Sequence, residues 1–285
     1  MTLKKKELSL FRGLKSREEK MTFLREMFLG KKCVILTAGP SIRTIDKDKL
    51  RAYLEDKLVI ANKQTIKLCP DLVDIHVLND CNYENYEYEE KNFNPIKILV
   101  KSASIFNFVP FLNPDLTFKI LRKNSKKNKS LCFLRDYSNW EISKFSTERP
   151  WGPGIMHEIC IHLPIFFESK EVTFIGWDIG EKDKNVIKRF YEKETILNKV
   201  RRNLSERNIF FYNKIFVKVE NLIRLILFLA GFKVLINIPG LTKEESNFIS
   251  ESTPDLYKYF RDKNIEAFIV SESSLVSNDF PRKLI

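Results

Sequence analysis

Residues 31–50, KKCVILTAGPSIRTIDKDKL, contain the pattern that decides the fold. An apolar run at residues 33–37 predicts a strand, and Gly39 and Pro40 end that strand with a turn. Residues 41–54 then have the pattern of a turn and a helix. In α/β proteins, a glycine turn between a strand and a helix is a common place to bind a ligand. The identity of that ligand has to come from the rest of the chain.

Other apolar runs predict more strands. None of them alternates cleanly between apolar and polar residues, which favours strands buried on both faces. The expected fold class is therefore α/β, with a Rossmann-like, mostly parallel sheet and helices on both faces. The predicted strands are residues 58–61, the stretch LVDIHVLND that ends at Asn79 and Asp80, and residues 96–100, 172–175 and 267–270, with 232–240 as a further candidate.

Helices are expected between and around these strands. Residues 1–30 are interpreted as one or two basic amphipathic helices, and residues 155–167 as a helix that follows a glycine turn. Near the end of the chain, Ser252 or Thr253 is expected to cap a last helix that has Pro254 in its first turn. This last helix is expected to end near Lys263 and Asn264, before the closing strand.

The chain is basic, with 49 Lys and Arg against 37 Asp and Glu and a formal net charge of +12. This balance suits an anionic partner such as a nucleotide, a nucleic acid, an anionic lipid or a phosphorylated glycan, although a coding bias explains it equally well. A polar, basic loop is expected at residues 122–129, RKNSKKNK. The apolar segment 216–232 includes Lys218 and Arg224, so we expect a helix packed on the body of the protein, with peripheral membrane contact as an alternative.

Several site classes lack support in the sequence. The five cysteines form no CxxC pair, which argues against a disulfide framework or a zinc site and favours a reducing cytosol, and no signal peptide is expected. Neither GxGxxG nor a Walker A lysine motif is present. Asp46 and Asp48 have the spacing of a DxD metal motif, but acids at this position commonly stabilise a helix N-terminus. The three histidines form no ligand cluster, so no metal site is expected.

Glycines and polar residues follow several of the predicted strands. Because ligands of parallel sheets bind beyond the carboxyl ends of the strands, these residues are candidates for a binding site. Asn62 and Asn79 offer donors and acceptors for ribose hydroxyls or base edges, although Asn is also a common turn former. The candidate groups are residues 37–41, Asn62, Asn79 with Asp80, residues 176–178 and residues 271–274.

Four segments together resemble the bacterial sialyltransferases of glycosyltransferase family 42. They are VILTAGPSIRTID, VIANKQ, DIHVLND and RPWGPGIMHEICIHLPIFFESKEVTFIGWDIG. The same segments are similar to the wider group of Rossmann-like proteins that use CMP-activated acidic sugars, and to MptE-like domains. The resemblance implies a GT-A-like sialyltransferase variant of the fold, with a helical lid inserted.

The resemblance also implies which residues hold CMP. The family has a glycine-serine turn after its first strand, asparagines after the next strands, and a Ser-Gly helix start. The serine of that helix start falls on Pro153, which lacks the hydroxyl for a phosphate contact. With strand-end residues included, the donor-nucleotide site is expected to consist of Gly39, Ser41, Asn62, Asn79, Gly152, Gly154, Asp178, Ser273 and Ser274.

The catalytic histidine of the family corresponds to Glu251, within Ser250-Glu251-Ser252. A carboxylate can deprotonate an acceptor hydroxyl, or it can attack the donor and form a covalent glycosyl-enzyme adduct. The third alternative is that Glu251 only favours the N-terminus of the following helix.

Further roles are implied for residues around the donor sugar. Tyr191 and Tyr212 are candidates for the tyrosines that steady the leaving phosphate in the family's lid, and Arg149 is a candidate contact for the donor's own carboxylate. The expected domain organisation is basic N-terminal helices at 1–30, a nucleotide-sugar-binding core at 31–180, a lid and acceptor-side region at 181–248, and a C-terminal segment at 249–285 that returns to the core.

The resemblance predicts a glycosyltransferase that moves an acidic 2-keto sugar, sialic acid-like or Kdo, from its CMP donor to a lipooligosaccharide or capsule acceptor. Because CMP leaves with a single phosphate, the reaction is expected to need no metal and no cofactor besides the donor. The expected location is cytoplasmic, with peripheral contact at the inner face of the cytoplasmic membrane. The alternatives are an MptE-like pterin diphosphokinase, which requires Mg-ATP, and a basic, non-catalytic nucleic-acid-binding protein.

Overall fold

The structure is a computed structural model of the 285-residue chain, and it describes most of an α/β core. The described residues are 5–79, 93–102, 113–123, 146–150, 159–178, 243–271 and 278–285, together with Tyr88, Val219, Leu222, Ile223, Ile226, Ala230, Ser274 and Val276.

In the described part of the chain, eight strands form one sheet in the order β6-β5-β4-β3-β2-β1-β7-β8, and every pairing between them is parallel. This confirms the predicted α/β fold class. The strands are β1 (Cys33–Leu36), β2 (Leu58–Asn62), β3 (Ile75–Asn79), β4 (Ile96–Ser102), β5 (Leu116–Lys123), β6 (Ser146–Pro150), β7 (Glu171–Ile175) and β8 (Glu266–Val270).

Helices cover the sheet, and local capping explains where two of them begin. Ser16 and Glu19 form a capping box at the start of the second helix, and the Asp46 carboxylate accepts from two backbone N–H groups at the start of the third. Asp46 therefore acts as a helix cap. The helices are α1 (Lys5–Gly13), α2 (Arg17–Phe28), α3 (Lys47–Leu54), α4 (His162–Phe166) and α5 (Lys243–Asp262), with 3-10 turns at Pro40–Thr44, Lys63–Lys67 and Pro70–Leu72.

The sheet has a hydrophobic core on each face. Cys33 and Ile35 of β1 face a core that includes residues of α1, α2, α4 and α5, whereas Val34 and Leu36 face a core that includes α3. All four side chains are buried. Because both faces are covered by apolar layers, β1 is apolar along its whole length, which explains the missing alternation in the sequence.

The sequence prediction missed two strands. β5 includes Arg122 and Lys123, so the loop expected at residues 122–129 begins inside a strand, and this part of the prediction is wrong. β6, with the sequence STERP, has no large apolar residue and forms the edge of the sheet. Charged residues and proline are typical of edge strands, where they oppose pairing with another chain.

The last helix, α5, begins well before the predicted cap. It runs through Pro254, which cannot donate a hydrogen bond to the Ser250 carbonyl. The Thr253 hydroxyl donates to that carbonyl instead, at 2.8 Å, and the Ser252 hydroxyl donates to the Ile249 carbonyl at 2.9 Å. The Thr253 bond replaces the donor that Pro254 lacks, so the helix continues through the proline. The predicted helix start at Ser252 or Thr253 is therefore wrong.

The connection from α5 to β8 is short. Asn264 adopts a positive φ of 57°, and the Ile265 N–H donates to the Phe260 carbonyl at 2.9 Å, which closes the helix as predicted near residues 263–264. After β8, the chain returns along that strand, where Arg282 pairs in parallel with Ile269. We call residues 281–285 the C-terminal strap, because it covers the outer edge of β8.

Other predictions fall on residues that the structure does not describe. They are most of the lid and acceptor-side region predicted at 181–248, including the candidate strand at 232–240, and residues 155–158 of a predicted helix. Within the part of the chain that is described, no helix is long and apolar enough to cross a membrane.

Candidate functional site

The strand order reverses beside β1. The chain passes outward from β1 to β6 on one side of β1, and β7 and β8 lie on its other side. The turns after β1 and β7 therefore leave the sheet edge next to each other, which is where open α/β sheets bind their ligands. Backbone bonds join the two turns, since the Gly39 N–H donates to the Gly176 carbonyl at 2.8 Å.

Asp178 connects the three turns at this point of the sheet. One carboxylate oxygen accepts from the backbone N–H of Ser41 at 2.6 Å, and the other accepts from the hydroxyl of Ser271, after β8, at 2.5 Å. The Asp178 side chain is buried, at 7% exposure. Bonds of this kind to a carboxylate are stronger than neutral ones, so Asp178 fixes the turns relative to one another. We call Asp178 with these two partners the Asp178 junction.

The two glycines of the site are required by this close packing. A Cβ on Gly39 would lie 2.3 Å from both the Asp178 carboxylate and the Gly176 carbonyl. Gly176 has a positive φ of 72°, and a Cβ there would meet the Ile42 side chain and the Thr37 carbonyl below 3 Å. The glycines thus allow the turns after β1 and β7 to approach each other.

A cavity of about 490 Å³ opens beside the junction. It lies between the 3-10 turn Pro40–Thr44 and the C-terminal strap, and its lining includes Ser41, Lys49, Ser271 and Arg282. The Ser41 hydroxyl oxygen is buried and has no hydrogen-bond partner within the described part of the structure. Arg282 donates to the carbonyl of Val276 at 2.9 Å, and burial lowers the pKa of its guanidinium. The cavity therefore combines hydroxyl groups with three basic side chains, Lys49, Arg282 and Lys283, and with the Asp46 carboxylate that caps α3.

Ser274 supports the same region from the loop after β8. Its hydroxyl donates to the Trp177 carbonyl at 2.7 Å and accepts from the Val276 N–H at 3.2 Å. The Ser274 and Val276 side chains are both buried. Ser274, which was predicted to bind the donor nucleotide, thus holds the turn after β7 in position.

Two buried polar side chains, Thr65 and His76, fix the end of β2. The Thr65 hydroxyl accepts from the Asn62 N–H at 2.8 Å and lies 3.1 Å from the Leu36 carbonyl, so it ties the end of β2 to β1. His76 of β3 contacts the carbonyl of Lys63 through Nε2 at 2.7 Å. Because a carbonyl only accepts, Nε2 carries the proton. Burial lowers the His76 pKa to about 3, so the ring stays neutral at physiological pH.

Asn62 and Asn79 end neighbouring strands, as predicted. Asn62 is half-buried at the end of β2, and Asn79 is the last residue of β3, with a side chain outside the described set. Together with the turns after β1 and β7, they form a row along the carboxyl edge of four adjacent strands.

Glu251 lies in the middle of α5 and is exposed. It therefore does not start a helix, and this alternative is wrong. The helix leads into β8 through a short turn after Asp262. Glu251 lies eleven residues before Asp262, which corresponds to about 16 Å along the helix axis. β8 itself spans about 13 Å, so the height of Glu251 along α5 matches the carboxyl edge of the sheet.

The structure does not place the remaining predicted residues at the Asp178 junction or beside the cavity. Arg149 belongs to β6, five strands from β1, which corresponds to about 24 Å across the sheet. Gly152, Gly154, Tyr191, Tyr212 and Ser273 lie outside the described residues. Among the residues that are described, no group of three or more His, Cys, Asp or Glu side chains could hold a metal ion.

The sequence interpretation missed three residues that shape the site. Thr65 and Lys49 carried no recognisable signal, and Arg282 reaches the cavity only because the C-terminal strap pairs with β8. Such a contact between residues far apart in the chain cannot be deduced from local sequence patterns.

No protein-family model matches the sequence, and no curated protein matches it. The structure of MAf glycosyltransferase from Magnetospirillum magneticum AMB-1 is similar to this chain, with a TM-score of 0.47 and 13% sequence identity. The similarity covers 95% of this chain and 39% of that chain, so this chain spans less than two fifths of the length of that protein.

Proposed function

We propose that this protein is a glycosyltransferase that moves an acidic 2-keto sugar, sialic acid-like or Kdo, from its CMP donor to a lipooligosaccharide or capsule acceptor. The observation that carries the proposal is the row of adjacent strand ends β3, β2, β1 and β7, since these ends belong to the segments that resemble the sialyltransferases. Four neighbouring strands span about 14 Å, which is enough for a nucleotide to lie across them.

The chemistry along the row suggests an orientation for the donor. Asn62 and Asn79 suit the edge of a cytosine base, because an amide offers both a donor and an acceptor. The Asp178 carboxylate has about four acceptor positions, and its described bonds in the junction use two of them. We assign the other two to ribose hydroxyls. We therefore assign the base to β3 and β2 and the ribose to the junction.

The phosphate and the acidic sugar belong beyond the junction, in the cavity. Lys49 and Arg282 make this part of the cavity basic, whereas a phosphate directly at the Ser41 N–H would be repelled by Asp178. In this orientation the carboxylate of the sugar binds near the C-terminal strap, and Arg149 on the far side of the sheet takes no part.

Glu251 is the proposed general base. Because α5 packs on one face of the sheet and the cavity lies on the α3 face, this role requires the sugar to extend from the cavity over the carboxyl edge of the sheet toward α5. It takes the proton of the acceptor hydroxyl while the oxygen forms a bond to the anomeric carbon of the sugar. The bond from that carbon to the phosphate oxygen breaks, and its electron pair leaves with CMP. Direct attack by the Glu251 carboxylate, followed by a second displacement, is the alternative.

The first test is a thermal-shift panel with CMP, UMP, CDP and ATP, each with Mg²⁺ or with EDTA. We expect CMP to raise the Tm equally in Mg²⁺ and in EDTA, because a ligand at about 100 times its Kd adds about 2.7 kcal/mol to the native state. Stabilisation by Mg-ATP alone would favour the diphosphokinase. RNA binding without any response to nucleotides would favour the nucleic-acid-binding alternative.

The second test measures release of CMP from CMP-Kdo and CMP-sialic acid in the presence of a glycan acceptor. We expect Glu251→Gln to slow release at least about 100-fold, which is the usual contribution of a positioned base. Glu26→Gln, at an exposed glutamate of α2, is the matched control and should leave the rate unchanged. Equal rates for both variants would remove Glu251 from the mechanism, whereas the response to CMP in the first test would stand.

A further inference from the structure

Four large aliphatic side chains are exposed close together in the chain. Val219, Leu222, Ile223 and Ile226 are 51%, 54%, 51% and 57% exposed. Elsewhere in the described part of the chain, the large hydrophobic residues with comparable exposure are single ones, at Leu10, Leu29 and Leu284. Scattered single residues of this kind are normal on protein surfaces, but a cluster is not.

Helical periodicity places the four residues on one surface. All four are in helical conformation, and the Ala230 N–H donates to the Ile226 carbonyl at 3.0 Å. Their spacing of three, four and seven residues is the spacing of one face of an α-helix. We call these four residues the 219–226 face. The expectation that segment 216–232 packs on the body of the protein stays a prediction, because most of the segment lies outside the described residues and the four exposed residues belong to one face.

The charge of the surrounding sequence favours one kind of partner. Lys214, Lys218, Arg224 and Lys233 lie within or next to the apolar segment, whereas Glu220 is its single acidic residue. The whole chain carries a formal charge of +12. A basic sequence around an apolar helix face suits the surface of an anionic bilayer, where apolar burial and attraction to lipid phosphates act together.

We propose that the 219–226 face docks the protein on the surface of an anionic membrane. The apolar side chains enter the boundary between headgroups and acyl chains, and the basic residues of the segment contribute attraction to the headgroups. This inference is independent of the nucleotide and of the reaction. A lipid-linked acceptor would make such docking useful, but the binding itself needs no acceptor.

The test is sedimentation with vesicles of phosphatidylcholine containing about one third phosphatidylglycerol. We expect the full chain to sediment with these vesicles, and much less with pure phosphatidylcholine. Binding should weaken as NaCl is raised from about 0.1 M to about 0.5 M, because salt screens the headgroup charge.

Ile226→Asn is the informative variant, because it removes an exposed apolar side chain and leaves the charge unchanged. We expect it to weaken vesicle binding about tenfold, and Ile223→Asn with Ile226→Asn to weaken it further. Leu10→Asn on α1 is the matched control, since Leu10 is also 57% exposed, and it should bind like the unaltered chain.

Two outcomes would overturn the proposal. The first is unchanged vesicle binding by the double variant while its Tm also stays unchanged. The second is a concentration-dependent dimer, measured by light scattering without vesicles, that Ile226→Asn abolishes. That second result would assign the face to contact with another copy of this chain.

Discussion

β7 has a buried carboxylate near each end, and the two are held in different ways. Glu171, its first residue, accepts from Lys32 at 2.9 Å and from Lys283 at 2.7 Å. Asp178, three residues after the strand, accepts from the Ser41 N–H and the Ser271 hydroxyl. The first carboxylate is thus balanced by two cations, whereas the partners described for the second are neutral.

This difference separates a structural charge from a candidate functional one. The Glu171 group joins β7 to the C-terminal strap, and its charge is neutralised within the protein. Asp178 lies beside a cavity, and the described bonds of Asp178 include none from the cations of that cavity. Of these cations, Lys283 is held by Glu171, whereas Lys49 and Arg282 are not. A buried carboxylate whose described partners are neutral donors costs more to bury than one that is paired with cations. The following predictions test this division.

Gly39→Ala should have the largest effect, because it forces the two turns of the junction apart. Its Cβ would lie 2.3 Å from the Asp178 carboxylate and from a backbone carbonyl, and neither can retreat easily. We expect the free energy of unfolding to fall by about 3 kcal/mol, together with loss of the response to CMP. Urea denaturation measures the first effect and thermal shift the second.

Gly13→Ala is the control for this substitution. No atom lies within 4 Å of a Cβ built on Gly13 at the end of α1, so we expect a change of at most about 0.5 kcal/mol. If both variants lose the same stability, the packing between the turns is not what requires Gly39.

Glu171→Gln should destabilise the protein by about 2 kcal/mol and leave the response to CMP intact. Removing one member of a buried ion pair usually costs more, but Lys32 and Lys283 are 56% and 30% exposed and solvent screens them. Urea denaturation together with CMP titration checks this prediction. Loss of CMP binding in a folded Glu171→Gln variant would break the division between the two carboxylates.

The stability lost in Glu171→Gln should depend on pH. Burial opposes ionisation of Glu171, but the hydrogen bonds from Lys283 and Lys32 outweigh it and lower its pKa below the usual 4.5. The ion pairs therefore contribute fully above about pH 4.5, and this contribution is lost as the pH falls through the lowered pKa. We expect the difference in Tm between the two proteins to be constant from pH 5 to 8 and to shrink below about pH 4.

His76 also makes the stability of the protein depend on pH, but it does so equally in the unaltered protein and in Glu171→Gln. Its folded pKa of about 3 lies below the usual 6.5, so stability falls as the pH decreases from about 6.5 to 3. This loss is common to both proteins and cancels in their difference. A difference in Tm that stays constant down to pH 3 would contradict the assignment to Glu171.

Asp178→Asn should have the opposite effect to Glu171→Gln, with a small loss of stability and a large loss of CMP binding. The amide can still accept from the Ser41 N–H and donate to the Ser271 hydroxyl, so we expect a loss of only about 1.5 kcal/mol. Binding of CMP should fall by at least about tenfold, because the remaining acceptor positions for ribose hydroxyls are reduced. Isothermal titration at neutral pH measures this. Unchanged affinity would place the nucleotide away from the junction.

The sequence was a good guide to the centre of the sheet and a poor one to its edge. β1 to β4, β7 and β8 were predictable because each contains a mostly apolar run with several buried side chains. β5 and β6 were missed because LTFKILRK and STERP have the charge of exposed segments. The rule that proline begins or breaks a helix failed at Pro254, where the Thr253 hydroxyl replaces the missing donor.

The site was predictable as a set of strand ends but not as a geometry. The sequence indicated Gly39, Ser41 and Asp178 as candidates, yet the bond between Ser41 and Asp178 joins residues 137 positions apart. No local pattern indicates that Gly39 faces the Asp178 carboxylate, or that the chain end forms a wall of the cavity.

The smallest effects are expected for alanine substitutions of Ser271 and Ser274, two serines after β8, and the two variants should differ in their affinity for CMP. Ser271 donates to Asp178, whereas Ser274 donates to the Trp177 carbonyl, and both hydroxyls are buried. Replacing either by alanine leaves one acceptor without its donor, so we expect both variants to lose about 1 kcal/mol of stability. Only Ser271→Ala should also change the affinity for CMP, since it alone alters a contact of the carboxylate, and isothermal titration of both variants measures this. An equal change in CMP affinity in both would mean that the loop after β8 acts as one unit and that Asp178 has no separate role in binding.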